Sequence, residues 1–337
     1  MEAGAPGPAR RRGGIRRDLK RARRFVVGML ASGAMAVGSR LPFALTSRVL
    51  PFLTRWLAAP RIGRASRANL ELAYGDALPA RDRDRVVRAL ARNLGRLAAE
   101  LLALHGGRLP ADFFDGDEVV ARCRALLAEG RGLVLVTGHL GNWEALGLYA
   151  ARELAPHAGA AVARRNSNPW LQRLAERGRR RTGLETIWQD ESPRRSLRLL
   201  QGGGFVALVA DQDVRRLSGT FVPFFGQPAW TPTGPAALAL AADAPILVVV
   251  AHRRGRGLVL ASSDPIRPRR GGDRSEEIDR LTRAWSDVIE REVRAAPSDW
   301  MWFHPRWRST PETIAARRER DRRHAAEARA QDANSLR

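Results

Sequence analysis

From residue 130 onward, short apolar runs bounded by glycine alternate with segments of helical periodicity, and this alternation restricts the fold more than any other feature. Leu133–Thr137, Gly159–Ala163, Leu184–Trp188, Phe205–Ala210, Ile246–Ala251 and Leu258–Ser262 read as strands, each too short and too apolar for a surface helix. Asn142–Leu154, Pro169–Arg181, Pro193–Leu200, Gly234–Ala242 and the longer Ser275–Arg294 read as helices. Strands separated by helices are joined by crossovers and so run parallel. The expectation is an α/β domain with a largely parallel sheet flanked by helices. Chemistry in such sheets gathers at the carboxyl ends of the strands. The stretch after Ala210 reads as a loop as far as Thr233.

The first hundred residues have another character. Val86, Val87, Leu90, Leu94, Leu97, Leu101 and Leu104 recur at helical spacing, which predicts a helix over residues 81–104. Upstream, residues 25–39 are apolar and uncharged but shorter than the ~20 residues of a spanning helix. A retained anchor or a helix lying in the interface is favoured over a cleaved export signal. Leu41–Ala59, with Phe43, Phe52 and Trp56 beside Arg48 and Arg55, suits a membrane surface. The expected organisation is a disordered basic tail over residues 1–24 and a helical membrane-associated region over 25–60. An enzyme domain follows over 61–310, with a helical lead-in over 61–110 and an α/β core over 111–310. A charged tail, helical or disordered, occupies 311–337.

The formal net charge is +23, and Lys20 is the only lysine, so the cation is almost entirely arginine. Such a surface attracts anionic lipid, nucleic acid or an acidic carrier protein. The arginines are scattered, with no helix-turn-helix, RNA-recognition or zinc pattern, so nucleic acid is not an expected partner. Cys123 is the only cysteine, which excludes an internal disulfide and any Cys-based metal site. His105, His157 and His252 have no carboxylate at useful spacing and read as structural or surface residues. No metal and no cofactor are expected.

The informative segment is the run from Leu133 to Gly147, in which a buried strand ends at Thr137 and Gly138 and Gly141 bracket a tight loop. Asn142 is a plausible N-cap, so Glu144 falls in the first helical turn. His139 then sits at the carboxyl end of a strand with a carboxylate on the facing helix start. Transfer of an acyl group to an alcohol needs a base for the hydroxyl proton, and an imidazole serves. It needs a carboxylate to hold that imidazole in one tautomer. It also needs donors for the tetrahedral oxyanion. His139 and Glu144 are candidates for the first two. The competing reading has His139 merely closing a strand and Glu144 favouring a helix N-terminus electrostatically.

Gly138-His139-Leu140-Gly141-Asn142-Trp143-Glu144 resembles the H-x4-E/D motif of the lysophospholipid acyltransferase superfamily. It is most similar to the version in the late (lauroyl/myristoyl) acyltransferases of lipid A biosynthesis. The likeness extends through Asn69–Tyr74, Asn93-Leu-Gly95 with Glu100, Arg164 with Asn168-Pro169, and Asp211-Gln212-Asp213. It continues through Gly219, Phe224-Phe225-Gly226, Thr231 and Gly234, and closes with Trp300, Trp302, His304, Arg306 and Trp307. The resemblance implies direct acyl transfer from a thioester on acyl carrier protein or coenzyme A, with His139 and Glu144 catalytic. The acceptor it implies is a hydroxyl of a membrane glycolipid, a lipid A precursor first. Phosphatidylinositol mannoside or a lysophospholipid is the alternative, and a non-catalytic binder of anionic lipid or nucleic acid a remote one. It places the protein at the cytoplasmic (inner) membrane, catalytic domain in the cytoplasm, against an anionic lipid surface.

The same resemblance assigns Asn142, Arg164, Asp211, Gln212 and Arg306 to substrate or oxyanion binding, and Trp143, Phe224 and Phe225 to the wall of an acyl groove. Each has a plainer alternative. Arg164 is one surface arginine among many, and Phe224-Phe225 would look the same as two core aromatics. Asp211 either orients Arg164 or His139 or caps the turn that follows. Trp300 and Trp302 read as packing or interfacial residues.

Overall fold

The computed structural model describes residues 33–166 and 168–335. After a helical stretch over residues 33–38 come three helices: α1 (Phe43–Leu57), α2 (Ala59–Tyr74) and α3 (Ala80–His105). Gly95 of α3 lets α1 approach closely, since a Cβ there would lie 2.5 Å from the carbonyl oxygen of Leu50. The α/β core then runs β1 (Phe114–Asp115), α4 (Asp117–Ala128), β2 (Leu133–Thr137), α5 (Trp143–Glu153), β3 (Gly159–Ala163), α6 (Pro169–Arg181) and β4 (Leu184–Trp188). It continues with α7 (Arg194–Gln201), β5 (Phe205–Val209), β6 (Gly219–Phe224), β7 (Gln227–Pro232), α8 (Gly234–Ala242), β8 (Ile246–Arg254), β9 (Gly257–Ser262) and α9 (Arg274–Ala295). A last helix, α10, covers Pro311–Ser335.

Seven strands form one sheet in the order β1-β9-β8-β2-β5-β3-β4, parallel throughout except where β8 and β9 form an antiparallel hairpin. Alternate side chains of each strand feed opposite faces. Val134, Val136, Val206, Leu208, Val248 and Val250 pack on one side with residues of α8 and α9. Leu133, Leu135, Phe205, Leu247 and Val249 pack on the other with α4 and α5. This near-continuous apolarity marks a sheet buried on both faces. The stretch before Thr233, expected as loop, instead carries the antiparallel hairpin β6–β7. Pro223, Pro228 and Pro232 disguised it, because proline reads against a strand unless the strand lies at an edge.

Residues 25–32 of the apolar run 25–39, and the whole basic tail 1–24, lie outside the described residues. Among the described residues, no helix is long and apolar enough to cross a membrane. Helix α1 nevertheless presents Leu45, Val49, Phe52, Leu53, Trp56 and Leu57 to the outside, with Phe52 64% and Trp56 62% exposed.

Candidate active site

Strands β2 and β5 are neighbours in register, with Thr137 opposite Val209. Two residues beyond each strand end stand His139 and Asp211, so the pairing that builds the sheet also brings these side chains together. Nδ1 of His139 lies 2.6 Å from Oδ1 of Asp211, and the His139 backbone N–H donates to Oδ2 at 2.7 Å. The indole N–H of Trp300 also donates to Oδ2, at 2.7 Å. Burial alone would raise the Asp211 pKa, but the His139 ring and these three donors outweigh it and hold the carboxyl at about 2. An ionised Asp211 only accepts, so Nδ1 of the imidazole donates, and the neutral ring keeps its lone pair on Nε2.

The loop between β2 and α5 is tightly fixed. Gly141 has φ +56°, and a Cβ there would lie 2.0 Å from the carbonyl oxygen of Ala251. Its N–H donates to the carbonyl of Asp299 at 3.0 Å. The Asn142 side chain caps α5 by accepting from the Ala145 N–H at 3.0 Å, and donates to Glu100 at 2.9 Å. Glu100 is in turn paired with Arg253, both deeply buried. The chain from Arg253 of β8 through Glu100 of α3 to Asn142 sets where α5 begins, and therefore where Glu144 stands.

Three expected roles change. Glu144 does not supply the hydrogen bond to Nδ1: Asp211 occupies that nitrogen, and Arg179 of α6 holds Glu144 at 2.8 and 3.0 Å. The reason is topological, since Glu144 at the start of α5 meets Arg179 of α6, whereas Asp211 follows directly from the strand beside β2. Asn142 is fully buried, spends its side chain on the helix cap and Glu100, and is not among the residues lining the cavity described below. Arg306 is likewise fully buried, donating to the Trp230 carbonyl at 2.7 Å and the Thr231 hydroxyl at 2.6 Å, 4.8 Å from the Phe224 ring. Burial pushes its pKa down to about 10, and it ties the closing segment to β7 rather than reaching an anionic group.

An apolar cavity of about 340 Å³ lies below the His139–Asp211 pair, between the sheet and helices α4, α5 and α6. His139, Trp143, Glu144, Arg164 and Gln212 line it, with the Trp143 ring 4.8 Å from that of His139. Phe224 and Phe225 are not among its lining residues. They lie on the opposite side of the sheet in a cluster with Tyr74, Trp300, Trp302 and Trp307, as core aromatics. Trp300 does more than pack, through its bond to Asp211. Arg179 was not legible, being one of three consecutive arginines. His252, read as lacking a carboxylate, pairs with Glu292 at 2.8 Å, forty positions away in sequence. Among the described residues, no group of His, Cys, Asp and Glu is placed to hold a metal.

The site is therefore a carboxylate-steadied imidazole at the strand ends of an α/β fold, standing over an apolar slot. The chain belongs to the bacterial lipid A biosynthesis acyltransferase family, whose sequence pattern it matches over residues 15–309. It is therefore an acyltransferase. It is similar to the phosphatidylinositol mannoside acyltransferase of Mycolicibacterium smegmatis, 27% identical over 293 residues, covering 83% of this chain and 92% of that protein. It is also similar to the lipid A biosynthesis lauroyltransferase of Escherichia coli, 30% identical over 201 residues, covering 58% of this chain and 62% of the relative. The lipid A biosynthesis acyltransferase of Haemophilus influenzae is 25% identical over 264 residues, 73% of this chain and 78% of its own.

Proposed function

We propose that the protein transfers a fatty acyl group from a carrier thioester, on acyl carrier protein or coenzyme A, to a sugar hydroxyl of a membrane glycolipid. The observation that carries this is the Asp211–His139 pair standing at the head of the apolar cavity. The acyl chain lies in the cavity with its thioester carbonyl beside Nε2. His139 takes the acceptor proton as the hydroxyl oxygen bonds to the carbonyl carbon. The imidazolium so formed is stabilised by Asp211. The C–S bond then breaks, the imidazolium returns the proton to the departing thiolate, and an ester remains. Arg164, exposed at the cavity, supplies positive charge for the oxyanion. Glu144 and Arg179 form a clamp that fixes the cavity mouth.

Two acceptors share this chemistry: a lipid A precursor and a mannosylated phosphatidylinositol. The names of the relatives favour both. Mass spectrometry of membrane lipids from cells with and without the gene distinguishes them. A glycolipid heavier by one acyl group in the wild type names chain and acceptor together. Identical lipid profiles would overturn the proposal.

The reading extends to location. The exposed face of α1, flanked by Arg48 and Arg55, beds into an anionic lipid surface, with the enzyme domain on the cytoplasmic side of the cytoplasmic membrane. Cosedimentation with anionic vesicles, lost in Phe52→Asp with Trp56→Asp, is the expected result. Equal sedimentation of the variant would remove α1 from the contact.

A further inference from the structure

Many glycines in this fold have a visible reason, but Gly147, like Gly178 inside α6, has neither a close backbone approach nor a positive φ to account for it. At Gly138, Gly141 and Gly159 a Cβ would meet another atom at 2.7 Å or less. Gly147 lies inside α5, is not among the residues with positive φ, and a Cβ there would meet only Leu184 Cδ2, at an ordinary 3.7 Å. Glycine inside a helix costs stability relative to alanine. What its missing side chain leaves is space, because Gly147 lines the apolar cavity.

The direction of α5 gives that space a depth. The helix begins at the carboxyl ends of the parallel strands and runs back along the sheet. Glu144, Gly147, Ala150 and Leu154 all line the cavity. At 1.5 Å per residue, Glu144 to Leu154 spans about 15 Å, and Gly147 lies one turn below Glu144. At the far end stand Leu154, 1% exposed, and Leu184, 2% exposed at the start of β4.

We infer that Gly147 and Leu154 determine acyl chain length: Gly147 keeps the channel open one turn below the catalytic residues, and Leu154 closes its floor. This rests on the cavity being the acyl site proposed above. Cys123, which also lines the cavity and is the chain's only cysteine, supplies a reporter that needs no turnover. Burial pushes its thiol up to about 12, so it reacts slowly and its shielding is read from initial rates.

The experiment compares kcat/KM of the full chain for butyryl, octanoyl, lauroyl and palmitoyl thioesters, in the wild type, Gly147→Leu, Gly147→Ala and Leu154→Ala. The palmitoyl-to-butyryl ratio is expected to fall at least about tenfold in Gly147→Leu, to fall less in Gly147→Ala, and to rise in Leu154→Ala. In parallel, Cys123 modification by methyl methanethiosulfonate is followed with the same acyl thioesters bound. Long chains are expected to shield Cys123 in the wild type and not in Gly147→Leu. An unchanged chain-length profile in a folded Gly147→Leu overturns the ruler while leaving acyl transfer standing. Should Gly147→Leu not fold, an unchanged ratio in both Gly147→Ala and Leu154→Ala overturns it equally. If no chain shields Cys123 in the wild type, the cavity is not the acyl site and both readings fall.

Discussion

Nδ1 of His139 and Oδ1 of Asp211 lie 2.6 Å apart, each two residues past the end of neighbouring parallel strands paired through Thr137 and Val209. The sheet register sets this distance, so the pair is preorganised before any substrate arrives. Asp211→Asn keeps the shape but loses the charge that fixes the tautomer and steadies the imidazolium. We expect kcat to fall about 10³–10⁴-fold, the scale seen when such an orienting carboxylate is neutralised. Circular dichroism should be unchanged. A loss below tenfold would show that Asp211 only braces the loop.

Glu144 occupies the motif position expected to steady the imidazole, yet its partner is Arg179. Arg179→Met should therefore act on the cavity mouth rather than on proton transfer. We expect KM for the acyl thioester to rise about tenfold while the pH dependence of kcat stays in place. A shifted pH profile with unchanged KM would mean that Glu144 talks to His139 after all.

The buried pair Glu100–Arg253 supports Asn142 and through it the start of α5. Removing one partner leaves a charge stranded in the interior. Arg253→Met should lower unfolding free energy by about 3–5 kcal/mol. Urea titration measures it, and a change under about 1 kcal/mol would place the pair in contact with water.

Acid stability should show two windows. Burial, the largest cause, lowers the His304 pKa from 6.5 to about 4. Between those values the unfolded chain binds more protons than the folded one, so stability falls as pH drops through this range. Asp211 is depressed from 3.8 to about 2, so its contribution is present above about pH 4 and lost as pH falls toward about 2. In urea titrations against pH, His304→Gln should flatten the first slope and Asp211→Asn the second. Unaltered slopes would contradict both assignments.

Much of this architecture was legible locally. The strands Leu133–Thr137, Gly159–Ala163 and Leu184–Trp188 coincide with their apolar runs, because a buried parallel strand advertises itself by continuous hydrophobicity. His139 was legible because a glycine-bracketed histidine follows such a run. The order of the strands was not, and it alone decides that β5 rather than the helix start supplies the carboxylate at Nδ1. Arg306 misled for a related reason: nothing in Trp300–Trp307 says whether a guanidinium points to solvent or beneath a hairpin. Phe224 and Phe225 carried equal weight as groove or core, and only the sheet's two faces separated those options.

In the proposed mechanism the Nε2 lone pair of His139 accepts the acceptor's proton. Purified wild type and His139→Ala should be compared for transfer of a radiolabelled acyl group from its carrier thioester to the glycolipid named by lipid mass spectrometry. Shielding of Cys123 would serve as the control for an intact acyl site. We expect His139→Ala still to show shielding of Cys123 but to transfer at least about 10³-fold more slowly. Transfer within about tenfold of wild type would contradict that mechanism.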